Sequence, residues 1–143
     1  MLMDGNKFTL NKDAITYLEE NIKNYYFKKR YQRYNPSPEA LGAFKDISEK
    51  TNVLVLATRN CPICIATIPV LIRLHLDVQN PNLNIRVIED GSPHMPTFLA
   101  DKKTPFIIFY DSAFNELFRL EQKEIKDNFE SALIEELKKL VSA

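Results

Sequence analysis

The sequence predicts an α/β domain: a mixed central sheet of about four strands with helices on both faces, preceded by an extra N-terminal helix. Three observations carry this. Short apolar runs rich in β-branched and aromatic residues recur at Val53–Ala57, Asn84–Glu89, Phe106–Tyr110 and Glu116–Leu120. Segments with apolar residues three and four apart alternate with them. The first two runs are joined by a helix-length connection, as parallel neighbours require, whereas the last two are joined by a five-residue turn.

The elements follow in order. From Asn11 to about Tyr34, Ile15, Leu18, Ile22 and Tyr25 or Tyr26 recur at helical spacing, with Asn11 as N-cap. Asn35-Pro36-Ser37-Pro38 stops that helix, because a proline disfavours helical geometry in the residue before it. Ser37 then caps a second helix with Pro38 at its first position and Glu39 in its first turn. That helix runs to about Lys50, with Leu41, Phe44 and Ile47 turned inward. Val53–Ala57 is apolar throughout, which suits a strand buried on both faces.

Thr58-Arg59-Asn60 leads into Cys61-Pro62-Ile63-Cys64, and Ile65, Ile68, Ile72 and Leu76 continue a helix that ends near Asn80-Pro81-Asn82. After the strand Asn84–Glu89, Asp90-Gly91-Ser92-Pro93 forms a turn, and His94–Lys103 is short and irregular or helical. Asp111–Asn115 connects the last two strands as a hairpin. Ile125, Phe129, Leu133, Leu137 and Val141 mark one face of a C-terminal helix whose end carries Lys138 and Lys139, where the helix dipole favours cations. Residues 1–36 thus read as an N-terminal helical extension and 37–143 as the main domain.

Bulk properties narrow the function. Nineteen basic residues balance nineteen acidic ones, which removes the general electrostatic case for nucleic acid or an anionic membrane. No apolar run reaches the eighteen or so residues of a membrane span, and no signal peptide is visible, so cytoplasm is the expected location. The basic and aromatic stretch from Tyr25 to Tyr34 has the composition of a single-strand binder. With zero net charge it reads better as a helix packed through its aromatic face, with a partner surface or dimer interface as the intermediate case.

Two cysteines separated by two residues at a helix start lie one turn apart on the same face, so their sulfurs can meet. The helix N-terminus supplies partial positive charge and unpaired N–H groups, both favouring thiolate. Cys61, at the exposed edge, is the expected nucleophile. Cys64, inside the first turn, is the expected resolving thiol. Arg59 is a further candidate for thiolate stabilisation. The rival readings are a pair of small core residues and half of a zinc site. For zinc, only His75 and His94 remain as nitrogen donors, and no second cysteine pair exists, so no metal or other cofactor is expected. His94 is a candidate proton carrier, and an exposed loop histidine otherwise. Ser112 lies in a turn with no histidine and acid spaced for hydrolysis.

A strand running into a C-x-x-C that opens a helix resembles the thioredoxin superfamily. Pro69, five residues beyond Cys64, matches the proline that kinks the active-site helix there, and Thr104-Pro105 stands where the superfamily keeps its cis-proline. The resemblance covers roughly Glu39 to Val141. The segment from Asn52 to Pro69 looks most like bacterial thioredoxin-like proteins with an extra helical segment in front. Pro62 and the threonine before the cis-proline position are similar to glutaredoxins.

The resemblance implies a thioredoxin fold, a redox-active Cys61/Cys64 pair, substrate contacts at Thr104 and Pro105, and Pro62 and Pro69 shaping the site. It also implies thiol–disulfide exchange with a disulfide-containing protein or a small thiol, the electron donor being open. The alternative is a thioredoxin-fold binding or scaffold protein with little redox turnover. Thioredoxins carry tryptophan before the first cysteine, glycine after it, a buried acid six residues earlier and a glycine near the hairpin's end. Here those positions are Asn60, Pro62, Val55 and Glu121.

Overall fold

In the computed structural model, which describes residues 3–142, five strands form one mixed sheet. They are β1 (Lys12–Asp13), β2 (Thr51–Ala57), β3 (Leu83–Glu89), β4 (Phe106–Tyr110) and β5 (Glu116–Leu120), in the spatial order β1-β3-β2-β4-β5. Strands β2 and β3 are parallel and every other pair is antiparallel. Val55 stands at the centre, opposite Val87 on one side and Ile107 on the other. The helices are α1 (Gly5–Thr9), α2 (Ala14–Asn21), α3 (Tyr25–Arg33), α4 (Pro38–Lys45), α5 (Pro62–Val78) and α6 (Gln122–Ser142). A single 3₁₀ turn at Thr97–Leu99 occupies the stretch between β3 and β4.

Strand alternation sorts the apolar residues into two layers. Val53, Val55, Ala57, Ile85, Val87, Ile107 and Phe109 face the large core built with α2 to α6. Leu54, Leu56, Ile88, Phe106, Ile108 and Tyr110 face a smaller one closed by Phe8 of α1 and Leu99 of the 3₁₀ turn. The two helical layers are therefore unequal, and the thicker one carries the cysteine-bearing α5. No helix among the described residues is long and apolar enough to cross a membrane.

The N-terminal segment departs most from the sequence expectation. The single helix expected over 11–34 is instead the strand β1 followed by α2 and α3. The reason is local: the Asp13 side chain accepts the Thr16 N–H at 2.8 Å, and Asn24 accepts those of Tyr26 and Phe27 at 2.9 and 3.2 Å. Each caps a new helix and so interrupts a continuous one. Asn11, expected as the cap, is buried and donates to the Lys7 carbonyl at 2.9 Å. The buried face shifts accordingly. Ile15 is 52% exposed, whereas Tyr17 and Phe27 enter the large core. Residues 12–34 thus supply the fifth strand and part of the core.

Two helix ends also differ. Helix α4 stops at Lys45, capped by Asp46, although Ile47 is still buried. In α6, Asn128 adopts non-helical angles (φ −166°, ψ 95°), and its side chain accepts the Ser131 N–H at 3.1 Å, capping the second half. Ile125, Phe129, Leu133 and Leu137 are buried as expected, but Val141 is 59% exposed.

Ser37 does cap α4, accepting the Ala40 N–H at 3.1 Å while donating to Glu130 Oε1 at 2.8 Å. Ser37→Ala should lower the stability measured by urea unfolding by about 1 kcal/mol, the usual effect of deleting an N-cap hydroxyl. An unchanged midpoint would mean that the cap is replaced by solvent.

Candidate active site

The cysteine pair sits where β2 ends. Asn60 takes a left-handed conformation (φ +64°), which asparagine tolerates better than most residues, and turns the chain from β2 into α5. Cys61 is then the N-cap of α5 with Pro62 at the first helical position. Its Sγ accepts the Cys64 N–H at 3.3 Å, as an oxygen would in an ordinary cap. Cys61 is partly exposed and Cys64 is buried, and both are free cysteines. Pro69 lies inside α5, fully packed.

The Thr104–Pro105 bond is cis, as the resemblance implied. It lies against the pair: the Cys61 Sγ stands 3.8 Å from the Thr104 carbonyl oxygen and 4.0 Å from the Thr104 hydroxyl. That hydroxyl also pairs with the Thr58 hydroxyl at 2.8 Å, tying the two loops together. Gln122, the first residue of α6, donates to the Thr104 carbonyl at 2.7 Å. Gln122 and Thr58 were not singled out from the sequence, since neither belongs to a motif and only the fold brings them to Thr104.

The two thiols have opposed electrostatics. Partial burial acts to raise the Cys61 thiol, but hydrogen bonds from the Cys64 thiol and N–H, the Thr104 hydroxyl and the Ile63 N–H outweigh it, leaving Cys61 below its ordinary value. Cys64 is pushed up to about 12, chiefly by burial and then by the neighbouring sulfur. Val55, in the position of the superfamily's buried acid, is wholly enclosed in apolar surroundings.

Arg59 is turned to a carboxylate. Its guanidinium lies 3.5 Å from Glu89 Oε2, and Glu89 also pairs with Lys12. The Lys12 hydrogen bond, more than the Arg59 charge, holds Glu89 below the usual carboxylate range. His94 is exposed in the loop after β3, and among the described residues no hydrogen bond joins it to either thiol. His75 lies four turns into α5 with a buried Nδ1 that has no partner, and burial lowers its pKa. Among the described residues, no group of three or more histidine, cysteine or acidic side chains is arranged to hold a metal ion.

The family described as Thioredoxin matches residues 10–130, most of the chain. The chain belongs to the thioredoxin family. Two solved structures share this thioredoxin fold over nearly their whole length. One is a crystal structure of an HIV epitope scaffold, 15% identical, with a TM-score of 0.73 over 96% of this chain and 97% of that one. The other is a protein of unknown function from Pseudomonas aeruginosa, 17% identical, with a TM-score of 0.65 over 99% and 96%. At such identities these likenesses concern the thioredoxin fold alone. No curated protein matches the chain.

Proposed function

We propose that this thioredoxin-family chain is a thiol–disulfide oxidoreductase, with Cys61 as nucleophile and Cys64 as resolving thiol. The observation that carries the reading is the Cys61 sulfur at the start of α5, where it accepts the Cys64 N–H and lies beside the Thr104 carbonyl. A thiolate formed there meets N–H dipoles that are already oriented, so little reorganisation accompanies attack.

The cycle balances with the chain's own groups. The Cys61 thiolate attacks one sulfur of a substrate disulfide, forms a mixed disulfide and expels the other sulfur as a thiolate that takes a proton from solvent. Cys64 then loses its proton and attacks Cys61 Sγ. The Cys61–Cys64 disulfide forms, and the substrate's second sulfur leaves. The substrate has gained two electrons and two protons, and the chain has lost them. A dithiol or small-thiol donor resets the pair, so no cofactor enters.

The partner class is a disulfide-bearing protein or small thiol. Thr104 and Pro105 offer backbone to an extended segment, in the manner of strand addition. Insulin reduction in the presence of dithiothreitol tests the reading. The wild type should accelerate it and Cys61→Ser should show none of that acceleration, while Cys64→Ser should accumulate mixed disulfides. If neither activity nor trapping occurs, the chain is a thioredoxin-fold binding or scaffold protein with little redox turnover.

A further inference from the structure

Cys64 must shed a proton for the cycle to finish, yet it is 3% exposed and the position beneath it is valine rather than an acid. The structure offers a different outlet. A cavity of about 40 Å³, room for a water molecule, has Cys64, Tyr17, Asn21, Asn24, Thr58, Arg59 and Asn60 on its walls together with the apolar Phe27 and Ile65. The polar part of its walls offers partners for one water. The Asn21 amide group donates to the Tyr17 carbonyl at 2.9 Å, so its oxygen remains an acceptor. The Asn24 oxygen caps α3, so its amide group remains a donor. Tyr17 adds a hydroxyl that burial, and then the charge of Cys64, keeps protonated.

The cavity adjoins a surface cleft. Asn21, Asn24, Arg59 and Asn60 also line a neighbouring cleft that ends at Lys12, Glu20 and Glu89. The groups that act on the Cys64 thiol are Cys61 on its own helix, Thr58 after β2 and Thr104 before β4; Tyr17 of α2 and Arg59 share the cavity with it, and Glu89 at the end of β3 lies in the adjoining cleft. Lys12 of β1 neutralises Glu89, with Glu20 2.6 Å from the same ammonium.

We propose that Tyr17 and the cavity it shares with Cys64 are the proton outlet of the resolving thiol, supplied by the N-terminal segment. A water held among Tyr17, Asn21 and Asn24 takes the Cys64 proton and passes it to solvent at the Lys12–Glu89 cleft. The Tyr17 hydroxyl orients that water and stabilises the sulfur charge as it forms. The inference rests on the oxidoreductase reading and assigns its second step. Tyr17 acts here as a positioning residue. Asn21→Leu removes the cavity's polar wall without touching either sulfur.

The two steps can be read separately with the chromogenic disulfide dithiobis-nitrobenzoate under single turnover. Attack by Cys61 releases one thionitrobenzoate and resolution by Cys64 releases the second. Tyr17→Phe keeps the ring and removes only the hydroxyl. It should leave the first release unchanged and slow the second about tenfold at pH 7, the effect of losing one hydrogen bond to a developing charge. The deficit should shrink as pH rises and hydroxide takes over. Asn21→Leu should behave alike, with melting temperatures recorded for both variants. A second release at wild-type rate in both variants, or an equal slowing of both releases, would overturn the proposal. A wild type that shows no first release would instead overturn the oxidoreductase reading.

Discussion

Iodoacetamide at pH 7 should modify Cys61 more than about a hundredfold faster than Cys64. Cys64 is pushed up to about 12 by burial, while the hydrogen bonds at the start of α5 leave Cys61 below the ordinary thiol value of 9.0. A gap of at least three units makes the thiolate fraction of Cys61 about a thousandfold larger. The higher basicity of Cys64 gives back roughly twentyfold in intrinsic nucleophilicity. Its burial then more than restores the difference, because the reagent must reach a sulfur that is enclosed. Cys61 reactivity should rise with pH through a midpoint below 9 and then level off, as the thiolate fraction saturates. Fragment-ion mass spectrometry of the tryptic peptide that spans both cysteines assigns the label. Comparable rates at the two sites would remove the physical basis for calling Cys61 the nucleophile.

Phe27→Ala should destabilise the protein by about 3–5 kcal/mol in urea unfolding, the usual consequence of truncating a buried phenylalanine. Phe27 is 2% exposed, belongs to the main core, and sits with its ring centroid 6.0 Å from that of Tyr17. Its helix is also clamped to α5 by polar bonds: Arg73 donates to the Tyr31 and Tyr34 carbonyls at 2.8 and 3.2 Å, and Arg30 to the Ala66 carbonyl at 2.9 Å. Ile15→Ala is the matched control. With half its surface in solvent, it should change stability by no more than about 0.5 kcal/mol. A loss below 1 kcal/mol for Phe27→Ala would mean that α3 is only loosely attached.

The strands β2 to β5 were legible because each is a run of β-branched and aromatic residues bounded by turn residues. Phe106–Tyr110 and Glu116–Leu120 matched their expected bounds. The geometry of the candidate site was legible for a related reason: the cysteine spacing, Pro69 and Thr104-Pro105 are local patterns that need no tertiary knowledge. The N-terminal segment was not. Its apolar spacing is compatible with one long helix, and the decision between one helix and two rests on whether Asp13 and Asn24 turn their side chains back to the chain. Strand β1 has only two residues, Lys12 and Asp13, and no composition marks them. Pairing with Val87 and Arg86 is what makes them a strand. Tyr17 escaped notice for the same reason, since its path to Cys64 exists only once α2 has docked.

The break at Asn128 divides the last helix into two stretches that are held in different ways. The turns after it are anchored by Phe129, Leu133 and Leu137, whereas the stretch before it is held by Ile125 and by the Gln122 bond to the Thr104 carbonyl. Because the backbone ladder is interrupted between them, melting one does not require melting the other. The front stretch is the more lightly anchored of the two, with one buried isoleucine against three buried apolar residues behind the break. The Gln122 hold on the Thr104 carbonyl is therefore fastened to the lighter end of a helix whose other end is fixed in the core.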